Sequence, residues 1–349
     1  MSPKTNDATA SMFGWQFQVA AAIIMMLEDM KSNIVIKVEG KKEDIEIQKN
    51  DGSVVLAQAK AMQESFAPSS AEKVNQYNSN ARKHLKKALN KLYRVYKNQQ
   101  SLSNTTVDNF QLVYVSNIQY PFGTKSSKSW GDGGIYKFNE LSEVEIELLP
   151  DDFPKEEEKF SNALTLRVIR YENVENWETQ QTKVLDVIKD FLRELDIDTS
   201  YAKNYLKTLH NLCSFNASSS KWTLGKERFI WAALVEKMRF SSKYFEEEVE
   251  ECTLDENDIC TKYRDVIDEM SYRMPMCMKI LAEYGKFKCD GAKELEKRKR
   301  FAKEYGKVLA SEDLSGLQED ARSVVAEYIV WNTIKARNVF NNAHNKFLI

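Results

Sequence analysis

Histidine is scarce in this chain of 349 residues: His84, His210 and His344 are the only three. The five cysteines, Cys213, Cys252, Cys260, Cys277 and Cys289, all fall after residue 210, and no two are spaced as Cys-x-x-Cys. That spacing argues against a structural zinc site. A chain of this size needs no disulfide staples, so reduced thiols are expected. An excess of charge of one sign is missing too. The net charge is −2, so the molecule as a whole is not a basic nucleic-acid binder, and any such affinity must come from local patches. No Gly-x-x-x-x-Gly-Lys-Ser/Thr loop occurs, so an ATPase activity would belong to another protein. The run Gly131-Asp-Gly-Gly134 is followed by neither Lys-Ser/Thr nor a helix pattern, and it reads as part of a surface loop spanning 120–134. There is no internal repeat, sustained heptad or low-complexity tract, and no signal-peptide pattern. The longest apolar stretch, Phe13 to Leu27, is interrupted by Gln16 and Gln18 and closed by Glu28-Asp29. It reads as too short for a bilayer and predicts a buried helix. These absences predict a cytoplasmic protein with no membrane partner.

The residues that are present describe a globular chain, 42% hydrophobic and 29% charged. Residues 1–11 are polar and expected to be disordered. Periodicity then predicts a helix over 13–30, strands over 33–39, 42–48 and 53–61, a helix over 71–98, and strands over 110–116 and 164–171. That order describes one α/β core. From about 175 the pattern is helical, with candidates at 178–195, 200–214, 225–239, 241–252, 257–284, 291–310 and 318–346. Asp198, Asp290 and Ser315 are the expected helix-start residues, and Pro275 is expected to kink or divide the fifth helix. The fold class is therefore α+β/α: an N-terminal α/β domain over 12–172, followed by an all-α helical domain over 173–349.

Chemistry concentrates in the N-terminal hairpin. Lys42-Glu-Asp-Ile-Glu-Ile-Gln48 and Ser53-Val-Val-Leu-Ala-Gln-Ala-Lys-Ala61 flank Asn50-Asp-Gly52, a strong hairpin signal. Side chains alternate faces along a strand, so Asp44 and Glu46 share one face, as do Gln58 and Lys60. Cleaving a phosphodiester calls for a cation that neutralises the scissile phosphate and generates hydroxide. A hard cation such as Mg²⁺ (or Mn²⁺) takes oxygen ligands. Asp44 offers a carboxylate, Gln58 an amide oxygen and Ala59 a backbone carbonyl. Lys60 is placed to orient the attacking water or to stabilise charge on the phosphate. Glu39, on the preceding strand, is the candidate second carboxylate.

The runs Phe13-Gly-Trp-Gln-Phe-Gln18, Val38-Glu-Gly-Lys-Lys-Glu-Asp-Ile-Glu46 and Leu56-Ala-Gln-Ala-Lys60 resemble the PD-(D/E)XK restriction-endonuclease superfamily. They are most similar to its effector nucleases of bacterial antiphage systems. These include the nuclease domains attached to cyclic-nucleotide-sensing effectors and the nuclease subunit of Lamassu-type systems, which work with an SMC-like ATPase. The resemblance covers about residues 12–62. It implies a restriction-endonuclease-like fold for the first domain and an active-site core of Asp44, Gln58 and Lys60, with Glu39, Gln18 and Gly14 as further motif positions. It also implies a DNA endonuclease held in check until a partner or assembly activates it. The helical domain would then dock that partner or drive homo-oligomerisation. A restriction or helicase-linked nuclease, and a catalytically inactive nuclease fold that binds DNA or scaffolds a complex, remain as alternatives.

The long helix carries a second signal. Between Arg82 and Lys97 it has seven basic residues, including Lys83, Lys86, Lys87 and Arg94, and no acidic one. Its apolar positions recur at three and four and predict a core-facing stripe, which leaves the opposite face basic. Contacts to nucleic-acid phosphates would use such a face, and so would an acidic protein partner. The later tetrad Lys297-Arg-Lys-Arg300 is interleaved with glutamates, and this pattern predicts an exposed, salt-bridged helix face.

Overall fold

The computed structural model describes residues 6–63, 71–102, 110–118, 134–138, 158–219, 223–239, 256–268, 273–312, 314 and 316–347. Helix α1 (Asn6–Glu28) leads into β1 (Asn33–Val38), β2 (Ile45–Lys49) and β3 (Val54–Lys60). Helix α2 (Ala71–Leu102) and strands β4 (Phe110–Ser116) and β5 (Ile135–Lys137) follow, then α3 (Glu158–Ala163) and β6 (Leu164–Val168). The rest comprises α4 (Trp177–Gln180), α5 (Thr182–Glu194), a 3₁₀ turn at Thr199–Tyr201, α6 (Ala202–Ser218), β7 (Leu224–Gly225) and α7 (Lys226–Lys237). It ends with α8 (Glu256–Asp268), α9 (Arg273–Lys286), α10 (Glu294–Glu312), α11 (Glu319–Lys335) and α12 (Arg337–Phe347).

The seven strands form one mixed sheet in the order β5-β6-β4-β3-β2-β1-β7. The hairpins β1–β2 and β2–β3 are antiparallel, whereas β3–β4 and β4–β6 are parallel. Gly52 makes the β2–β3 turn possible, since its φ of 81° lies where a Cβ is disfavoured. Ser53 N–H donates to Asp51 Oδ1 at 2.8 Å and fixes the return. Alternation splits the sheet into two faces. Leu56, Leu112, Tyr114, Leu164 and Leu166 pack with Leu85, Ala88, Leu92 and Tyr96 of α2. The α2 stripe is thus the core contact that its period predicts.

From Phe17 to Leu27 helix α1 is Ala, Ile and Met on nearly every side, with Gln18 the one polar residue, the pattern of a buried helix. Phe17, Val19 to Ile24 and Met26 are fully buried. Each large side chain so covered contributes roughly 1.5–3 kcal/mol. Phe13 and Phe17 meet Tyr171 at ring distances of 5.4 and 5.5 Å. Two expectations change here. The helix begins at Asn6, inside the segment expected to be disordered, while residues 1–5 lie outside the described residues. By length and composition Ala10–Glu28 does reach the size of a membrane span, although 67% of it is buried within the protein.

The chain divides into two compact units. One comprises Met1–Phe191 with Leu206–Lys226, and the other Leu192–Tyr205 with Glu227–Ile349. The first unit thus takes in 173–191 and 206–226, which the sequence pattern placed with the helical half. It also takes in β7, a two-residue strand that pairs with β1. Residues 173–349 are therefore not wholly helical. A two-residue strand has no readable period, and the same applies to the short β5.

The second unit is helical. Tyr263 stacks edge-on to Tyr328 at 4.8 Å, donates to the Met238 carbonyl at 2.6 Å and accepts from Asn332 Nδ2 at 3.1 Å. Within the predicted helix 257–284 the described residues form two helices, α8 and α9, and 269–272 lie outside the described residues. Pro275 lies in the first turn of α9, where its missing N–H costs nothing, so of the two outcomes expected of it the helices show division and not a kink. The predicted helix 318–346 breaks at Ala336 into α11 and α12. Asp198 does cap, accepting from Ser200 N–H at 2.8 Å. Asp290 instead sits in the turn with Gly291, ahead of α10. Ser315 and the expected helix 241–252 fall outside the described residues, as does most of the 120–134 loop. The tetrad glutamates pair as expected, Glu294 with Arg298 at 3.2 Å and Glu296 with Arg300 at 2.8 Å.

Candidate active site

Asp44 is not a strand residue. It is the last of four bend residues, 41–44, that lead into β2. Its backbone is held from two sides: the carbonyl accepts from Glu39 N–H at 2.8 Å and from the buried Gln18 Nε2 at 2.9 Å. Gln18 thus acts from α1 as a brace for the loop. Gly14 offers no such role, since a Cβ there would meet nothing within 4 Å. Glu46 supports the same loop from β2, where its carboxylate accepts from Lys42 N–H at 2.6 Å and from Glu43 N–H at 3.3 Å.

Strand β3 supplies the other half of the site. Pairing with β2 ends at Ile45 opposite Ala57, so the next backbone group on that side, Ala59 N–H, is free to donate to Asp44 Oδ2 at 3.1 Å. A strand residue turns its N–H and C=O to the same side, so the Ala59 carbonyl faces the β2 side as well. The Gln58 amide nitrogen also donates to Asp44 Oδ2, and Lys60 Nζ lies 3.7 Å from the same oxygen. Asp44, Gln58 and Lys60 therefore meet at one point, Gln58 and Lys60 from one face of β3 and Asp44 from the bend that precedes β2. Beyond Lys60 the chain is pinned by Asn117, which accepts from Met62 N–H at 2.8 Å and donates to the carbonyls of Met62 and Tyr171, each at 2.8 Å.

Two residues outside the expected set complete the cluster. Lys91, on α2, lies 3.4 Å from Asp44 Oδ1 and 3.0 Å from Glu43 Oε2. The Glu43 side chain is fully buried, and burial raises its pKa above the ordinary carboxylate range despite the attraction of Lys91. For Lys91, burial works against the ammonium, but the charges of Asp44 and Glu43 outweigh it and its pKa rises. The sequence shows Lys91 as one more basic residue of α2. Its aim depends on how α2 docks, which no local pattern reveals.

The cation question turns on oxygen donors. The Asp44 carboxylate, the Ala59 carbonyl and Gln58 Oε1 are hard oxygen donors of the kind Mg²⁺ or Mn²⁺ takes, while the Gln58 amide turns its nitrogen, not this oxygen, to Asp44. Gln58 Oε1 is buried and has no hydrogen-bond partner, as a ligand oxygen awaiting its cation would be. Glu39 stands apart. Its backbone, at φ 53°, is tied to Asp44, but its carboxylate is exposed and no contact brings it to the other donors. Among the described residues no three His, Cys, Asp or Glu side chains converge, so the donor set rests on one carboxylate with amide and carbonyl oxygens.

Lys83, Lys86, Lys87 and Arg94 are all exposed on α2. At 100° per residue, Lys83, Lys87, Arg94 and Lys91 share one side of the helix, so a basic stripe runs on from the site. The opposite face of the sheet carries a separate cavity of about 220 Å³, lined in part by Met25, Ile47 and Val113. Its charged groups are already paired, Arg167 with Glu28 at 2.5 Å and Lys49 with Asp29 at 3.0 Å. It contains none of the residues gathered at Asp44.

No protein-family model matches the chain, and no curated protein matches it. Among solved structures, it is similar to the Acinetobacter baumannii Cap4 SAVED/CARF-domain containing receptor with the cyclic trinucleotide 2'3'3'-cAAA. That likeness has 16% identity and a TM-score of 0.35, and it covers 64% of this chain and 46% of the receptor's. The same receptor with 3'3'3'-cAAA gives the same identity and TM-score over 64% and 45%. This chain thus spans under half the length of that receptor, and a likeness of this strength assigns it neither ligand nor activity.

Proposed function

We propose that this chain is a metal-dependent DNA endonuclease, the effector subunit of a prokaryotic antiphage defence complex, held inactive until a partner or assembly activates it. The observation that carries the reading is the meeting of Asp44, Gln58 and Lys60 at one point, beside a helix whose outer face is basic. A divalent cation, when bound, supplies charge neutralisation and a hydroxide nucleophile. The chain's own residues hold and orient. Asp44 and Gln58 present oxygens, the Ala59 N–H fixes the carboxylate, and Lys60 orients water or meets charge developing on the phosphate. Lys83, Lys87 and Arg94 hold the nucleic-acid backbone. The defence setting, the SMC-like ATPase partner and the homo-oligomer rest on the resemblance of residues 12–62, with Gly14, Gln18, Glu39, Asp44, Gln58 and Lys60 as its motif positions.

The test is cleavage of supercoiled plasmid with Mg²⁺ by the wild type, Lys60→Ala and Asp44→Ala, each alone and with the products of neighbouring genes. Both variants are expected to lose activity by about 10²-fold or more. Wild-type binding without cleavage under every partner and oligomeric condition would leave a DNA-binding or scaffold subunit. Equal cleavage by all three proteins would place the chemistry elsewhere. The size of the complex, measured with and without those neighbours, tests the activation by assembly.

A further inference from the structure

Resting on the nuclease reading, the inference concerns Lys91, a second lysine that the motif does not contain. Its ammonium bridges two carboxylates, at 3.0 Å from Glu43 Oε2 and 3.4 Å from Asp44 Oδ1. Lys60 stands 3.7 Å from the other oxygen of Asp44. The Asp44 carboxylate therefore already has a cation on each side. A divalent ion on Asp44 would bring a third positive centre into the same few ångströms, and like charges at that range repel. Lys60 is anchored on a central strand. Lys91 is the one with somewhere to go: its side chain is about half exposed, it sits on the basic stripe with Lys83, Lys87 and Arg94, and the fully buried Glu43 tethers it.

We propose that Lys91 is a stand-in counter-ion and a second phosphate-contacting lysine. Before a cation binds, it neutralises Asp44. Once one binds, it leaves Asp44, stays beside Glu43, and meets a phosphate of the nucleic-acid backbone. Glu43 is then the positioning residue of Lys91 and not a cation ligand.

The test measures cation and DNA binding separately, without turnover. Calorimetric titration with Mn²⁺ alone compares the wild type, Lys91→Met and Asp44→Asn. Lys91→Met is expected to bind Mn²⁺ more tightly, on the order of tenfold, and Asp44→Asn to lose binding. Because Lys91→Met leaves the buried Glu43 charge unpaired, the double variant Glu43→Gln/Lys91→Met serves as a second version and is expected to show the same gain. Affinity for a labelled duplex is then measured with and without Ca²⁺. Lys91→Met is expected to weaken binding several-fold with Ca²⁺ and to leave it unchanged without. Equal or weaker Mn²⁺ binding by both variants, or the same DNA loss with and without Ca²⁺, would overturn the proposal alone. A wild type that binds no divalent cation would overturn the nuclease reading and this inference with it.

Discussion

Glu43 and Asp44 are neighbours in the chain and face opposite electrostatic situations. Asp44 is held by an N–H, an amide and two ammonium groups, whereas Glu43 is fully buried with Lys91 as its counter-charge. Burial raises the Glu43 pKa above its usual 4.5, so the folded chain keeps a proton that the unfolded chain has already lost. The stability this contributes is complete below the unfolded value and is lost as pH rises through the raised folded value. In chelator, with urea unfolding followed from about pH 4 to about pH 8, the wild type is expected to lose stability relative to Glu43→Gln as pH rises. A constant gap would show that Glu43 does not titrate on folding. Strand alternation, a local rule, made Gln58 and Lys60 legible as a pair on β3, whereas Asp44 stands in a bend that the strand period does not reach. Glu43 with Lys91 was not legible, because Lys91 lies 47 residues from Asp44 and reaches it only through the docking of α2.

At the scale of elements, periodicity located α1, α2 and the strands β1, β2, β3, β4 and β6, misjudged several of their ends, and missed the short β5 and β7. Helix α1 extends back to Asn6, and β2 starts one residue after Asp44 rather than two before it, which moves the aspartate from a strand to a braced bend. That change matters, because a bend residue depends on Gln18 and Glu46 to be held in place. In the second unit, α10 and α11 approach closely at Gly306, where a Cβ would lie 3.0 Å from Glu327 Cα and 3.1 Å from Glu327 N. A backbone cannot swing aside as a side-chain tip can. Gly306→Val is therefore expected to destabilise the chain by about 1–3 kcal/mol, read as a lowered midpoint in thermal unfolding. An unchanged midpoint would show that the two helices separate without cost.

For the molecule as a whole, a net charge of −2 means that any DNA affinity has to be local. The basic stripe of α2 is where it is expected. Replacing Lys83, Lys87 and Arg94 together by Ala should reduce the slope of log affinity against log salt by about one for each phosphate no longer neutralised. Unchanged salt dependence in a binding titration would move the nucleic-acid surface elsewhere. The sequence by itself determined the burial of α1, the β2–β3 turn at Gly52, the core stripe of α2 and the shared face of Gln58 and Lys60 on β3. Each follows from a period or a turn that neighbouring residues specify. Tertiary structure alone decided that Lys91 aims at Asp44, that Glu43 is buried, that Leu224–Gly225 completes the sheet beside β1, and that the compact units divide within α5 and α6. Those outcomes depend on which surfaces of distant elements pack together, a free-energy comparison over the whole chain that no window of sequence contains.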